Sequence, residues 1–347
     1  MVSLVLSLIL VARIDHVLIV SIDGMRPELL RGSIVEGMPG FARLLRGPHT
    51  LEARTDPEFT VTLPNHVGMV TGRLAKGPEG HGWLGNADPP SVANGGTVAA
   101  MHGSYVPSMF DVAHDRGLAT SVIATKAKFG VFEQSYGADT GAPDTTGSDE
   151  GRDKVDLTKI CEGEGAVAVE VLKFLRGAAS SQRRSVALVH IGRLDGAGHE
   201  SGWSLGEGSG YRKAAEAVDQ VLDALLTVVD SDSSLAGRVA IILTTDHGGG
   251  DPLRTHTTLG APVNFTIPLV VWNGADATPL DLYELNASTR QRPDRSANPK
   301  SASVPPIRNS DAGNLALMLL GLPAIEGSTV NAAQDLRVVA PSGTTSP

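Results

Sequence analysis

HVLIVSI, residues 16–22, runs straight into Asp23-Gly24, and the reading of this stretch decides the fold. A nearly continuous apolar run rich in branched side chains predicts a strand covered on both faces, as in the middle of a parallel sheet. An acidic residue at its end falls where such sheets place their sites, outside the carboxyl ends of the strands. The same pattern recurs in VALVHI at 186–191, before a loop ending in Asp195. It returns in VAIILTT at 239–245, which ends directly at Asp246-His247. IPLVVW at 267–272 and SVIAT at 121–125 are two further candidate strands.

Segments of helical period separate these runs. From Tyr211, the positions Ala215, Val218, Leu222, Leu225 and Val229 form an apolar stripe. Residues 166–176 and 312–320 also read as helices, the latter stopping at Gly321 and Pro323. Strands alternating with helices predict an α/β class. Two stretches, 138–153 and 288–306, lack apolar periodicity and read as loop-like insertions, on the surface or flexible. The expected organisation is a single catalytic α/β domain over 15–338 and a frayed tail over 339–347. Residues 1–14 would be a short apolar leader or N-terminal extension; their apolar run lacks a basic start and is too short to predict a stable membrane span.

Composition narrows the chemistry. With 41% apolar and 19% charged residues over 347 positions, the chain can bury a large core. Its formal charge is −9 and it has no basic runs, which argues against nonspecific nucleic-acid binding. Acidity does not exclude an anionic substrate, because bound metal ions can reverse the local field. A single cysteine, Cys161, excludes an intrachain disulfide and a cysteine-based metal site. Any metal must use histidine and carboxylate ligands.

Asp195 and His199 sit four apart in RLDGAGHESGW, Asp246 and His247 are adjacent in TTDHGGG, His256 follows, and Asp23 ends the first strand. Each has an ordinary reading: Asp-Gly as a turn, D-x-x-x-H as a helix-surface pair, a lone loop histidine. Together they offer three carboxylates and three imidazoles, enough for two ions once a nucleophile oxygen joins them. In FTVTLPNHVGMVTGR, residues 59–73, Phe59–Leu63 reads as extended, Pro64 suits a first helical turn and Gly72 a helix end. Thr62 would then be a helix N-cap, or a nucleophile whose phosphoryl group the helix N-terminus helps to hold. Both readings share one geometry.

These segments resemble the alkaline phosphatase superfamily, and within it the nucleotide pyrophosphatase and type I phosphodiesterase family. The resemblance runs from about Asp15 to Leu336 through ordered motifs: VSIDGMRP at 20–27, TLPNHVGMVTGR at 62–73 and HGWLGN at 81–86. LDGAGHESGW at 194–203, TTDHGG at 244–249 and NSDAGNLALMLLGLP at 309–323 complete them. It implies a three-layer α/β/α fold around a mostly parallel sheet, and two zinc ions. Asp23, Thr62, Asp246 and His247 would surround one ion; Asp195, His199 and His256 would surround the other. Thr62 would attack phosphorus and become phosphorylated, while Asn86 would bind a non-bridging phosphate oxygen. Asn65 and His66 are expected to give local support.

The implied activity is hydrolysis of phosphodiester or pyrophosphate bonds in a small phosphoester such as a nucleotide. A phosphomonoesterase, a phosphonate or sulfate ester hydrolase, and an inactive metal-binding homologue are the alternatives. Tyr105, Phe129, Phe132 and Trp203 are candidates either for the cleft wall or for the core. Arg193-Leu194 departs from many relatives. Family habit favours a periplasmic or secreted location and leaves a cytoplasmic one open.

Overall fold

The computed structural model describes residues 13–149, 151–274 and 278–339. The N-terminal extension before Arg13 and the tail beyond Val339 lie outside the described residues. Seven strands form one sheet: β1 (His16–Ile22), β2 (His49–Arg54), β3 (Ala119–Ala124), β4 (Leu157–Ile160), β5 (Ser185–Ile191), β6 (Val239–Thr244) and β7 (Thr266–Trp272). Their order is β2-β7-β6-β1-β5-β3-β4. β1 pairs in parallel with both β5 and β6, and β3 in parallel with β5 and β4. Only β7 runs against its neighbours, so the sheet is mostly parallel.

Every residue of β1 is buried, as its nearly continuous apolar run predicts. Strand alternation divides it between two cores. Val17 and Ile19 face one core, with the helices Thr62–Thr71, Met109–His114 and Ala312–Leu319. Leu18, Val20 and Ile22 face the other, with the helices Pro39–Leu44, Glu164–Ser180 and Gly210–Ser231. The result is the three-layer α/β/α architecture. The stripe expected from Tyr211 is the buried face of Gly210–Ser231.

Two strands escape the sequence reading, β2 (HTLEAR) and β4 (LTKI). Both are edge strands with part-exposed residues, so neither carries the apolar run that marks the centre. The segment after β5 is also different: Asp195 lies on the helix Arg193–Ser201 rather than at the end of a loop. The 288–306 segment has no regular structure, yet buried arginines tie it down. Arg54 donates to the carbonyls of Asp294 and Ala297, and Arg308 to the Asn298 side chain and the Pro299 carbonyl. Arg290 pairs with Asp311 and Asp335.

Candidate metal centre

Four neighbouring strands deliver the charged groups to one end of the sheet. Asp246 and His247 follow β6, Asp23 follows β1, Asp195 lies just beyond β5, and Lys126 just beyond β3. The chain ends of β1 and β5 abut: the Asp195 amide donates to the Asp23 carbonyl at 3.0 Å. Gly24 makes this possible, because a Cβ there would stand 3.1 Å from the Asp195 Cα, and its φ of +72° suits glycine. Other motif glycines make room for an indole. A Cβ on Gly198 or Gly249 would fall 2.3 or 2.2 Å from Trp203.

The sequence-predicted residues converge. Potential ligand atoms of Asp23, Asp246 and His247 lie within 4.8 Å of one another, and so do those of Asp195, His247 and His256. His247 therefore belongs to both groups, where the sequence reading assigned it to one. His247 Nε2 is 3.4 Å from Asp23 Oδ1 and 3.3 Å from Asp246 Oδ2. His256 Nε2 is 3.7 Å from Asp195 Oδ1, and its ring stacks on His247 at 3.6 Å. His199 stands on the rim, its side chain 45% exposed, with Nε2 3.2 Å from Asp195 Oδ1. The Asp195–His199 spacing is thus a helical i,i+4 pair after all, but one turned toward the cluster.

Whether these groups suit a cation can be judged from their hydrogen bonds. The Nδ1 atoms of His199, His247 and His256 face the backbone carbonyls of Arg254, Gly248 and Thr60 respectively. A carbonyl only accepts, so each Nδ1 carries a proton, and in His256, kept neutral by burial, Nε2 turns a lone pair inward. All three Nε2 atoms face carboxylate oxygens, which only accept, and Asp195 raises the pKa of His199 on the rim. Asp23 Oδ1, Asp195 Oδ1, Asp246 Oδ2 and His247 Nε2 are buried and have no hydrogen-bond partner. Buried acceptors without donors are costly, and a divalent cation is the group that would satisfy all four. The donor set fits a metal.

The outer oxygens, in contrast, are occupied. Asp23 Oδ2 accepts from Lys126 Nζ at 2.6 Å and lies 3.0 Å from His190 Nε2; Asp195 Oδ2 accepts from Lys126 at 2.7 Å. Burial would raise the Asp23 carboxyl, but Lys126, His190 and His247 outweigh it and hold the group well below its ordinary range. Burial and the neighbouring His247 lower His256 to about 4, so it is neutral at pH 7.

Sequence reasoning passed over Lys126 and Lys128. They lie in the ATKAKFG stretch, where no acid or histidine flags them, and only strand order places them here. His190 was missed because it reads as part of a buried strand. Phe129 and Phe132 are fully buried, and Trp203 is 2% exposed. Phe129 nevertheless packs against His66 and His190, and Trp203 against His199 and His256. Tyr105 bonds Asp111, away from the cluster.

Thr62 is the first residue of its helix, and Val61 is the cap. Leu63 is helical too, so the helix takes up the last two residues of the stretch expected to be extended. Thr62 itself is 2% exposed. Its segment is fixed from several sides. Thr60 exchanges hydrogen bonds with His256, His66 Nδ1 meets the Thr62 carbonyl at 2.8 Å, and His66 Nε2 meets Ser21 Oγ at 2.8 Å. Asn65 holds the approach to the helix through the Asp56 amide and the Phe59 and Val61 carbonyls. Asn86 Oδ1 accepts the Leu63 amide at 3.0 Å, which leaves the Asn86 amide nitrogen as a donor beside Thr62.

No functionally curated protein matches the sequence. Among solved structures, an alkaline phosphatase superfamily protein from Vibrio parahaemolyticus is similar, with a TM-score of 0.57 and 14% identity over 93% of this chain and 70% of that one. The lipoteichoic acid synthase LtaP from Listeria monocytogenes gives 0.55 and 14% over 89% and 72%. A 2-O GAG sulfatase gives 0.56 and 11% over 96% and 76%. These likenesses show the alkaline-phosphatase-like fold. Residues 17–259, more than half of the chain and the span that contains every residue of the cluster above, match the family described as type I phosphodiesterase / nucleotide pyrophosphatase, and the chain is a member of that hydrolase family.

Proposed function

We propose that this hydrolase cleaves phosphodiester or pyrophosphate bonds in small nucleotide-like substrates, with two zinc ions and a phosphorylated Thr62 as intermediate. The observation that carries the reading is the set of four buried, unpartnered acceptors on Asp23, Asp195, Asp246 and His247. Asp23, Asp246 and His247 would hold one ion beside the Thr62 oxygen; Asp195, His199 and His256 would hold the other. Residues 15–338 form the catalytic unit in this reading.

The ions, when bound, supply Lewis acidity at the attacking and leaving oxygens of an in-line displacement. The Thr62 Oγ bonds to phosphorus as the bond to the leaving oxygen breaks, and the leaving group departs with a proton. Water then attacks phosphorus, releasing the phosphate product and restoring the hydroxyl. Asn86, anchored through its carbonyl side by the Leu63 amide, directs its NH2 at a phosphoryl oxygen. His190 and Lys126 keep the outer carboxylate oxygens engaged, so that the inner ones stay aimed at the cations.

One observation favours a monoester substrate instead. Lys128 donates to the Asn86 carbonyl at 2.6 Å. A second positive charge beside the site suits a dianion better than a diester. Steady-state rates on bis(p-nitrophenyl) phosphate and p-nitrophenyl phosphate, with zinc-loaded and chelated enzyme, test both readings. A zinc-dependent preference for the diester is expected. A preference for the monoester would move the substrate class while leaving the metal ligands in place, and equal rates after chelation would sink the metal reading.

A further inference from the structure

Asp23, Asp195 and Asp246 bring three carboxylates into one buried cluster, with side chains 0%, 7% and 0% exposed. Asp23 and Asp195 cannot separate, because their backbones are hydrogen-bonded and packed through Gly24. Two adjacent like charges out of water would oppose folding unless a cation stands with them. Among the described residues, Lys126 is the only lysine or arginine that pairs with any of the three.

Lys126 is also placed as a fixed part of the site. Thr125, the residue before it, accepts the Gly192 amide at 2.8 Å, so the end of β3 is fastened to the turn that leads to Asp195. The lysine stem lies against Gly192, where a Cβ would come within 3.2 Å of Lys126 Cε. Its ammonium takes the outer oxygens of Asp23 and Asp195 and leaves both inner oxygens free. Lysine and metal therefore use different atoms of the same carboxylates, and one need not leave for the other to bind.

We propose that Lys126 is a resident counter-cation that joins the two halves of the centre and lets the chain fold with Asp23 and Asp195 side by side before any ion arrives. It is a positioning residue. In the loaded protein the ions take over most of the neutralisation, and the same lysine then repels them slightly. This inference rests on the metal reading above, and its test separates the two.

The experiment is thermal unfolding of the full chain, chelated and with saturating zinc, for wild type, Lys126→Met and Lys126→Arg, with zinc affinity measured by calorimetry. In chelator, Lys126→Met is expected to lower Tm by roughly 4–7 °C, as breaking a buried ion pair should in a chain of this size. Saturating zinc should remove most of that difference. By the closed thermodynamic cycle, Lys126→Met should then bind zinc more tightly than wild type. Lys126→Arg, which keeps the charge and can span both carboxylates, should retain most of the chelated Tm. An equal Tm loss with and without zinc would show a merely structural lysine and overturn the proposal. So would weaker zinc binding by Lys126→Met, no Tm loss in chelator, or an Arg variant as unstable as the Met one. A wild-type protein whose Tm ignores zinc would overturn the metal reading itself, and this inference with it.

Discussion

Among the described residues, two buried aspartate pairs are bridged by lysine, and they differ in what the lysine leaves over. In one, Lys126 joins Asp23 to Asp195 at the ends of the central strands. In the other, Lys154 joins Asp115 to Asp144, with His114 3.8 Å from Asp144. Both groups bring histidine and acid atoms within 4.8 Å, so residue types and spacing alone would call both metal sites. The Asp115 carboxylate is fully used: one oxygen takes the Lys154 ammonium, the other the amide and hydroxyl of Thr145. Lys154 donates in addition to the Gly151 carbonyl. Of this cluster only His114 Nδ1 is a buried atom without a hydrogen bond, against four such atoms in the first. A cation site is recognised by acceptors left without donors, while a satisfied ion network is a clasp, here closing the 138–153 insertion.

That contrast can be broken at several points. Thr62→Ala should abolish turnover, by roughly 10⁴-fold or more as nucleophile removal does elsewhere, while zinc content stays unchanged by mass spectrometry. A variant with the wild-type rate would remove Thr62 from its role. His247→Ala should cost the ion that it would hold together with Asp23 and Asp246. Zinc bound per chain should fall well below that of wild type, and undiminished zinc would break the proposed ligand set. Lys154→Met should leave zinc and turnover alone but strand two buried carboxylates, lowering stability by about 3 kcal/mol in urea unfolding. If zinc content fell instead, the second cluster would be more than a clasp.

The last prediction concerns pH. Burial lowers His16 to about 4 and His81 to about 3, from an ordinary 6.5, so the folded chain keeps both neutral. The unfolded chain binds more protons below pH 6.5, and stability therefore rises with pH across that window. The contribution is complete above 6.5 and is lost as pH falls toward 4 and then 3. Urea midpoints of chelated protein at pH 7.5 and pH 5 should show the loss, and an unchanged midpoint would contradict it.

Much of this was legible in the chain, for stated reasons. A strand buried on both faces must be apolar throughout, so β1, β5 and β6 announced themselves, and the acids at their ends followed. The edge strands β2 and β4 lacked that signature because water or a loop covers part of each. The paired Asp195 and His199, the adjacent Asp246 and His247, and the isolated His256 could be singled out by residue type. Nothing in the sequence said that His247 would face two carboxylate groups at once.

By itself, then, the sequence determined the α/β class, the family and which residues are candidates for binding a metal, because periodicity and side-chain chemistry are local properties. The tertiary structure alone decided which of two acid clusters keeps its acceptors open, and that Lys126 stands between Asp23 and Asp195. Those facts depend on β3 lying beside β5 and β5 beside β1, an order that brings together residues 23, 126 and 195. Strand order is set by how whole layers bury their apolar faces, and no window of sequence contains it.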